Sequence, residues 1–432
     1  MNRGRQSPGC RMNKVEKLIE KLCPEGVEYK ALGEVCKFQN GFAFKSNLFK
    51  SSGLPIIRIT NINGKTVDDS NLTYFDKDDY KEDLSQFEIH NKDILIAMSG
   101  ATTGKMGYVI TDQISYLNQR VGKFLPRTNQ LNNRFLFHFL LTKSNEIYVM
   151  AGGGAQPNLS SLKLMNTLFI PVPPLAIQQE IVNVLDQFSE LEAELEAELE
   201  ARKRQYEYYR DQLLTPRNVN GKWILNDGVE VEWKTLGEIG EFIRGNGLQK
   251  KDFTETGVGC IHYGQIYTYY GTFTNKTKSF VSPEFAKKLK KAKQNDVVIA
   301  TTSENVEDVC KAVAWLGKEE IAISGDAYIY RHNQDPKYIA YCLQTAMFFD
   351  HKRKYVTGTK VIRVSGADMA KFSIPLPPLA EQKRIVAILD NFNALVNDIS
   401  EGLPAEIAAR HSQYEYYRNK LLGFKRKNTE DI

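Results

Sequence analysis

Gly100-Ala-Thr-Thr-Gly-Lys105 comes nearest in this chain to a catalytic loop. A phosphate-binding loop needs backbone N–H groups to cradle the anion, a lysine, and a hydroxyl residue for magnesium. Here the loop is one residue short, and Met106 stands where the hydroxyl is required. Gly152-Gly-Gly154 lacks the strand–G-x-G-x-x-G–helix setting of a dinucleotide site. No G-x-S-x-G elbow and no H-E-x-x-H zinc motif occurs. Glu28-x-Lys30 and Glu232-x-Lys234 have the spacing of a metal nuclease, but no aspartate precedes Glu28 to complete the first. Both read better as parts of a repeated frame. The six histidines are scattered. The six cysteines (Cys10, Cys23, Cys36, Cys260, Cys310, Cys342) show no C-x-x-C spacing, which predicts reduced thiols in a cytoplasm. The expectation is a chain that does no chemistry and binds neither metal nor cofactor.

What the sequence does contain is itself, twice. Ile170-Pro-Val-Pro-Pro-Leu-Ala-Ile-Gln, running to Leu185-Asp-Gln-Phe188, returns as Ile374-Pro-Leu-Pro-Pro-Leu-Ala-Glu-Gln, running to Leu389-Asp-Asn-Phe392. Gln205-Tyr-Glu-Tyr-Tyr-Arg-Asp-Gln-Leu-Leu214 returns as Gln413-Tyr-Glu-Tyr-Tyr-Arg-Asn-Lys-Leu-Leu422. Val27-Glu-Tyr-Lys-Ala-Leu-Gly-Glu-Val35 returns as Val231-Glu-Trp-Lys-Thr-Leu-Gly-Glu-Ile239. The opening motifs and the proline motifs share one offset (231 − 27 = 374 − 170 = 204), so the two bodies they enclose are equally long. Their contents differ. Asn40-Gly-Phe-Ala-Phe-Lys45 faces Arg244-Gly-Asn-Gly-Leu-Gln249, and Ser99–Lys105 faces Ser303–Val309. A period this long is a duplicated domain, not a solenoid. One scaffold built twice with different loops suits a partner with two similar but unequal sites.

Composition is that of an ordinary folded protein, with 42% apolar and 25% charged residues. No apolar run approaches the roughly 18–20 residues of a membrane span. With 57 basic against 52 acidic residues the net charge is +5, compatible with nucleic acid but no proof of it. Five segments follow: a leader and short helix (1–26, with a second candidate start at Met12), a first body (27–170), a helical spacer (171–226), a second body (227–374) and a second spacer (375–432). Pro55–Thr60, Asp93–Ala97, Gly107–Ile110 and Asp296–Ala300 read as strands. Leu131–Val149 and Tyr338–Phe349 read as helical. The predicted class is α+β.

The spacers are helices of another kind. Pro173-Pro174 and Pro377-Pro378 are start signals. No Gly or Pro interrupts Leu175–Leu214, a rod of about 60 Å at 1.5 Å per residue. Its apolar stripe runs Phe188, Leu191, Leu195, Leu199, Tyr206, Tyr209, Leu213, the three-and-four spacing of a coiled-coil seam. Glu190, Glu192, Glu194, Glu196, Glu198 and Glu200 read as a solvated coat. The second rod, Leu379–Leu422, is expected to break at Gly402 and Pro404. Two such rods in one chain should pack on each other as an antiparallel coiled coil.

Pro-x-Pro-Pro-Leu-x-x-Gln leading into helices that end in Gln-Tyr-x-Tyr-Tyr-Arg resembles the specificity subunit of type I restriction–modification enzymes, from Met12 onward. Leu191-Glu-Ala-Glu, Leu195-Glu-Ala-Glu and Leu199-Glu-Ala-Arg stand where that family carries a tetrapeptide repeat. The resemblance implies two target-recognition domains, each reading half of a split, asymmetric double-stranded DNA target. It implies helices that set the spacing and dock two modification (methyltransferase) subunits, which bind S-adenosylmethionine, with separate restriction (motor-nuclease) subunits. It implies no membrane partner. Base readout needs donors and acceptors on loops, with phosphate contacts fixing register. On that basis the first body offers Arg58, Asn61, Asn63, Lys65, Thr102, Thr103, Lys105, Gln156 and Asn158. The second offers Arg244, Asn246, Gln249, Lys250, His262, Thr301, Thr302, Asn305, Lys360 and Arg363. Lys287, Lys288, Lys290, Lys291 and Lys293 form a basic cluster suited to phosphates. The rival from another class is an adaptor whose rods merely hold two protein-binding domains; salt-dependent DNA binding separates the two.

Overall fold

The computed structural model describes residues 8–153, 157–397 and 402–427, with side chains from residue 14 onward. The chain folds into two compact units. One comprises the residues up to Glu194 together with those from Ala408 onward; the other is Leu195–Ile407.

In the first unit, strands Cys36–Asn40, Val121–Pro126, Ile94–Ala97 and Met106–Tyr108 form an antiparallel sheet in that order. Every residue of Ile94–Ala97 is buried, the mark of a strand covered on both faces. A second sheet runs Thr73–Phe75, Leu54–Ile57, Ser115–Leu117, Glu88–Ile89, with its middle pair parallel. The second unit has the same plan. Gly240–Arg244, Ala327–His332, Val297–Ala300 and Ala312–Trp315 form its first sheet, with Phe273–Thr274 added in parallel at the edge. Ser279–Val281, Val258–Ile261, Ile321–Ile323 and Lys291–Ala292 form its second, again with the middle pair parallel. The aspartate before each central strand is held by a cation of the neighbouring strand: Lys123 Nζ to Asp93 at 3.1 Å, Arg331 to Asp296 at 2.9 Å.

The repeated motifs are the seams of this frame. Tyr29–Ala31 of the opening motif pairs with Phe169–Pro171 of the proline motif, and Glu232–Thr235 pairs with Ser373–Leu376. Each body is thus closed by a ribbon whose two strands repeat together. A Cβ at Gly33 or Gly237 would lie only 3.2 or 3.0 Å from the carbonyl oxygen of Met165 or Ala370. Glu28 and Lys30 pair with each other on the surface, as do Glu232 and Lys234. The motif glutamine is wholly buried in both copies. Gln178 donates to the Gln130 and Pro173 carbonyls and accepts from the Asn132 N–H. Gln382 donates to the Pro377 carbonyl and to Gln334, and accepts from the Asp335 N–H. Asn132 and Asp335 are the N-caps of Asn133–Thr142 and Pro336–Cys342, so one amide locks helix, strand and spacer together.

Both stretches expected as single helices are broken. Leu131–Val149 contains Asn133–Thr142 and then Ser144–Met150, separated by Lys143. In the second unit one helix ends at Cys342, and Thr345 caps the next, Ala346–Lys352, by accepting from the Phe348 N–H.

Leu175–Leu214 is one helix of 40 residues. The C-terminal spacer divides into Leu379–Asn397 and Leu403–Leu422. Its repeated motifs lie four residues further apart than those of the middle helix (413 − 392 = 21 against 205 − 188 = 17), and the extra length falls at this break. Within each unit the helices pack antiparallel. Phe188 stacks on Tyr417 with centroids 5.2 Å apart, and four residues on, Glu192 meets His411 at 2.9 Å. In the second unit Tyr209 stacks on Phe392 at 5.6 Å. Each pair therefore takes its phenylalanine from one repeat and its tyrosine from the other.

The seam needs one correction. Leu191 is exposed and Glu192 is buried. The body covers one side of the helix, so the buried arc follows Ile177, Ile181, Leu185, Phe188 and Glu192 rather than a symmetric coiled-coil stripe. Glu192 is no part of a solvated coat, since its carboxylate is held by Lys65 Nζ at 2.8 Å and His411 Nδ1 at 2.9 Å.

Candidate nucleic-acid interface

At one edge of each pair of sheets, five chain segments converge, joined by the same backbone bonds in both units. In the first, the Gly41 N–H donates to the Val121 carbonyl, Phe42 to Leu117, Asn118 to Ile57, Met98 to Arg120, and Leu159 to Met98. In the second, Gly245 donates to Ala327, Asn246 to Ile323, Ser324 to Ile261, Thr301 to Asp326, and Val364 to Thr301. The loops that differ most in sequence are therefore held in one arrangement. Gly41 and Gly245 mark the tightest approach: a Cβ there would lie inside the carbonyls of Asn118 and Ser324.

Two pairs of the nominated residues fall onto this edge in matched places. Arg58 and His262 follow equivalent strands, and each backbone N–H is capped by the amide of the residue three on, Asn61 or Gln265. Asn158 and Arg363 occupy equivalent exposed positions, bridging Ser99 and Thr302 respectively. Lys105, Asn63, Gln249, Lys250, Asn305 and Lys360 are exposed. Arg244 is exposed and its Nε donates to the Gly325 carbonyl at 3.0 Å. Asn246 clamps the lysine cluster to this edge, donating to the Lys288 carbonyl and accepting from the Lys290 N–H. Lys287, Lys288 and Lys290 are exposed there and Lys291 is half-buried, while exposed Lys293 lies toward the opposite end of the sheet, its Nζ 3.9 Å from Glu320 and its N–H donating to Asp296.

Other nominated residues are committed to the loops themselves. Asn61 is buried and donates to the Asp68 and Asn71 carbonyls. The Thr103 hydroxyl is spent on the Gly100 and Pro157 carbonyls, and that of Thr102 on Ile59. Buried Thr301 and Thr302 both donate to Asp326. His262 caps the helix Tyr263–Thr268, its Nδ1 accepting from the Gly264 N–H. Burial, then the nearby Lys250 charge, holds its pKa below the ordinary histidine value, so it sits neutral. Lys65 Nζ is 2.8 Å from Glu192, which draws it toward the spacer helix. Sequence composition could not separate these loop-builders from free donors, because both are polar residues between strands. Gln156 lies outside the described residues.

Sequence reasoning missed the turn between the two sheets, Asn118-Gln119-Arg120, where Gln119 and Arg120 are exposed on the same edge. Its counterpart is Ser324-Gly325-Asp326. The signal was a polar triplet between the buried runs Ser115–Leu117 and Val121–Phe124, visible only once both are known as strands.

A twice-built scaffold with variable polar loops on a constant edge defines a bipartite recognition protein. Comparison with known proteins says which. The chain matches the type I restriction modification DNA specificity domain twice, over residues 24–201 and 228–409, and it belongs to that family. It is 29% identical to a putative type I restriction enzyme specificity subunit of Haemophilus influenzae, over 95% of this chain and 98% of that one. It is 36% identical to the EcoR124I/EcoR124II specificity subunit of Escherichia coli over 60% of this chain, a match spanning 62% of that relative's length. Two solved structures share the fold. A type I restriction–modification S subunit from M. genitalium covers 92% of this chain and 96% of its own, with TM-score 0.51 and 14% identity. A chain from a structure describing complex assembly and conformational transition of the type I R-M system covers 92% and 97%, with TM-score 0.57 and 17% identity. Among the described residues no helix is long and apolar enough to cross a membrane, and no cluster of three or more His, Cys, Asp or Glu could hold a metal ion.

Proposed function

We propose that each body reads one half of a split double-stranded DNA target, and that the helices set the spacing between halves and dock two methyltransferase subunits. Those subunits supply S-adenosylmethionine and transfer the methyl group; restriction subunits join them. The observation that carries this is the constant loop edge with different side chains in each body. Exposed Lys105, Asn158, Gln119 and Arg120 serve the first, and Arg244, Gln249, Lys250, Asn305, Lys360 and Arg363 the second, with Lys287, Lys288 and Lys290 on phosphates. The buried threonines and Asn61 hold loop shape and read nothing directly.

The test is an exchange of residues 231–374 for the equivalent segment of a relative, followed by mapping of methylated sites. One half of the motif should change and the other persist; joint change of both halves defeats the modular reading. DNA binding should weaken steeply with salt, because each neutralised phosphate releases counterions. A flat salt response would favour the adaptor.

A further inference from the structure

The first body meets its helices through a buried charge, at a place where the second unit carries valine. The Glu192 carboxylate lies 2.8 Å from Lys65 Nζ and 2.9 Å from His411 Nδ1. Lys65 belongs to the body, Glu192 to the middle helix and His411 to the C-terminal one. The repeat gives the corresponding places in the second unit. Glu192, four residues after Phe188, corresponds to Val396, four after Phe392; His411, two before Gln413, corresponds to Lys203. Tyr108 and Ala314 are equivalent, since they pair with Ile94 and Val297 of the central strands. The Tyr108 N–H donates to the Lys65 carbonyl as the Ala314 N–H does to that of Thr272, so Lys65 corresponds to Thr272. The charged arrangement does not recur. Val396 is buried, Lys203 pairs with Glu200 of its own helix, and the Thr272 hydroxyl accepts from Gln344. A cavity of about 640 Å³ opens there instead, with Thr272, Val396, Lys203 and Tyr206 in its wall.

Val396 shows that this frame packs without a carboxylate at that place. A buried ion pair holds a fold together no better than apolar residues of similar size, but it fixes which groups meet. What it fixes here is a loop. Residues 58–68 leave the strand Leu54–Ile57 at the recognition edge and reach the helix through the turn Asn63–Thr66. At the root, the Ile57 carbonyl accepts from the Asn118 N–H, and the Ile59 carbonyl from the Thr102 hydroxyl. Asn61 ties the two sides, accepting from the Arg58 N–H and donating to the Asp68 carbonyl. At the tip, Asn63 Oδ1 accepts from the N–H groups of Lys65 and Thr66. The loop carries Arg58, whose Nε is buried with no hydrogen-bond partner among the described residues. With that nitrogen uncommitted, the guanidinium takes its place from the backbone that bears it. We infer that Glu192, acting through Lys65, is a positioning residue for reading the first half-site, and that Lys65 serves as a strut rather than a phosphate contact. This rests on the reading that each body recognises one half of the target, and adds a residue on the helix to the determinants of one half.

The test uses the full chain in complex with its cognate methyltransferase subunit, and duplexes bearing the methylated motif mapped for the wild type. The half that persists when residues 231–374 are exchanged is the first body's. Affinity is measured for the intact motif and for duplexes with either half scrambled, at several salt concentrations. Lys65→Gln and Glu192→Gln should each lower the preference for an intact first half about tenfold, roughly the worth of one base pair. Preference at the second half, and the slope of affinity against salt, should stay as in the wild type. The double variant should be no worse than either single one, because each breaks the same pair. Lys65→Arg, which keeps the pair, should retain the preference. Glu192→Val, the residue of the second copy, should match Glu192→Gln and replaces it if melting shows that glutamine unfolds the helix pair. Uniform weakening of all duplexes by Lys65→Gln, with the salt slope reduced by about 1, would make Lys65 a phosphate contact and overturn the inference. Tighter binding of every duplex by Glu192→Gln would overturn it too, since Glu192 would then merely withhold Lys65 from DNA. So would an unchanged preference in every variant, or an equal loss at both halves. A wild-type complex that discriminates at neither half would instead defeat the reading on which the inference rests.

Discussion

The two bodies have the same strand order, the same parallel pair and the same five backbone bonds at the loop edge, yet almost none of the same side chains there. Met98 in one stands where Thr301 stands in the other, Asn118 where Ser324 stands, and Arg120 where Asp326 stands. Side chains may therefore vary freely at the edge while the backbone keeps it in place. The helical frame is the reverse case. There side chains repeat, and the stacked rings pack one copy against the other: Phe188 on Tyr417, Tyr209 on Phe392. A recognition surface needs variation on a constant support, and these two regions divide that work.

The largest expected effect breaks the shared edge. Gly41→Ala and Gly245→Ala each drive a methyl group into a carbonyl of the opposing turn. Each should lower stability by about 3 kcal/mol, since overpacking that only a backbone shift can relieve is costly. Urea unfolding of both variants would show it, and a tolerant Gly245 would mean that the two edges are not alike.

A difference in acid response comes next. In the second unit burial lowers the His332 pKa to about 4, and its Nε2 is buried without a partner among the described residues. The unfolded chain takes up this proton near the ordinary value of about 6.5. Above that pH both states are neutral and nothing is lost. As pH falls from about 6.5 to about 4, the unfolded state gains the proton first and stability falls, by up to about 3 kcal/mol. In the first unit the equivalent strand position is Pro126, paired to Cys36 as His332 is to Gly240. His332→Phe should flatten the acid limb of a stability–pH curve; an unchanged limb would remove this histidine as its cause.

Gln178→Ala and Gln382→Ala sharpen the likeness of the frames. Each leaves a buried N–H and a buried carbonyl unpaired, which costs about 2 kcal/mol. Similar losses are expected at both sites in denaturant melts. A glutamine whose loss costs nothing would not be a lock.

The smallest effect exposes where the frames part. Tyr414 bonds to His138, which also meets Asp186 at 2.8 Å. Burial pushes the Asp186 pKa up, but His138 and Arg134 outweigh it and hold the carboxyl below its usual value. In the second unit Cys342 stands at the place of His138, and the Tyr206 hydroxyl lies buried with no hydrogen-bond partner among the described residues. Asp390 is instead held by Tyr341 and Lys337. Tyr414→Phe should cost about 1 kcal/mol and Tyr206→Phe close to nothing. Equal costs would show that the difference is not a difference of hydrogen bonding.

Much of the architecture was legible in the residues. The helix Leu175–Leu214 could be bounded at both ends, because paired prolines start it and neither glycine nor proline interrupts it. The break near Gly402 was readable for the same reason. The strands with continuous apolar runs, Ile94–Ala97 and Val297–Ala300, were also plain. Of the candidate site, the loops were found but not the roles within them. Thr102 and Thr103 resemble Asn158 as polar loop residues, and only burial reveals that the threonine hydroxyls turn inward. The break at Lys143 and the buried Glu192 were missed because an apolar period reports a helix face, not which neighbour covers it.

The sequence by itself determined that this protein is a duplication, that its ends of equal offset enclose equal bodies, and that long helices join them. Those features depend on side-chain identity and spacing, which a sequence displays. Only the tertiary structure decided that opening and proline motifs pair as one ribbon, that each helix pair draws on both repeats, and that Asn158 and Arg363 share a place on the edge. Strand order and loop convergence are made by backbone N–H and carbonyl groups, which every residue but proline carries alike. Such bonds can hold two unlike sequences in one shape, and for that reason neither sequence announces it.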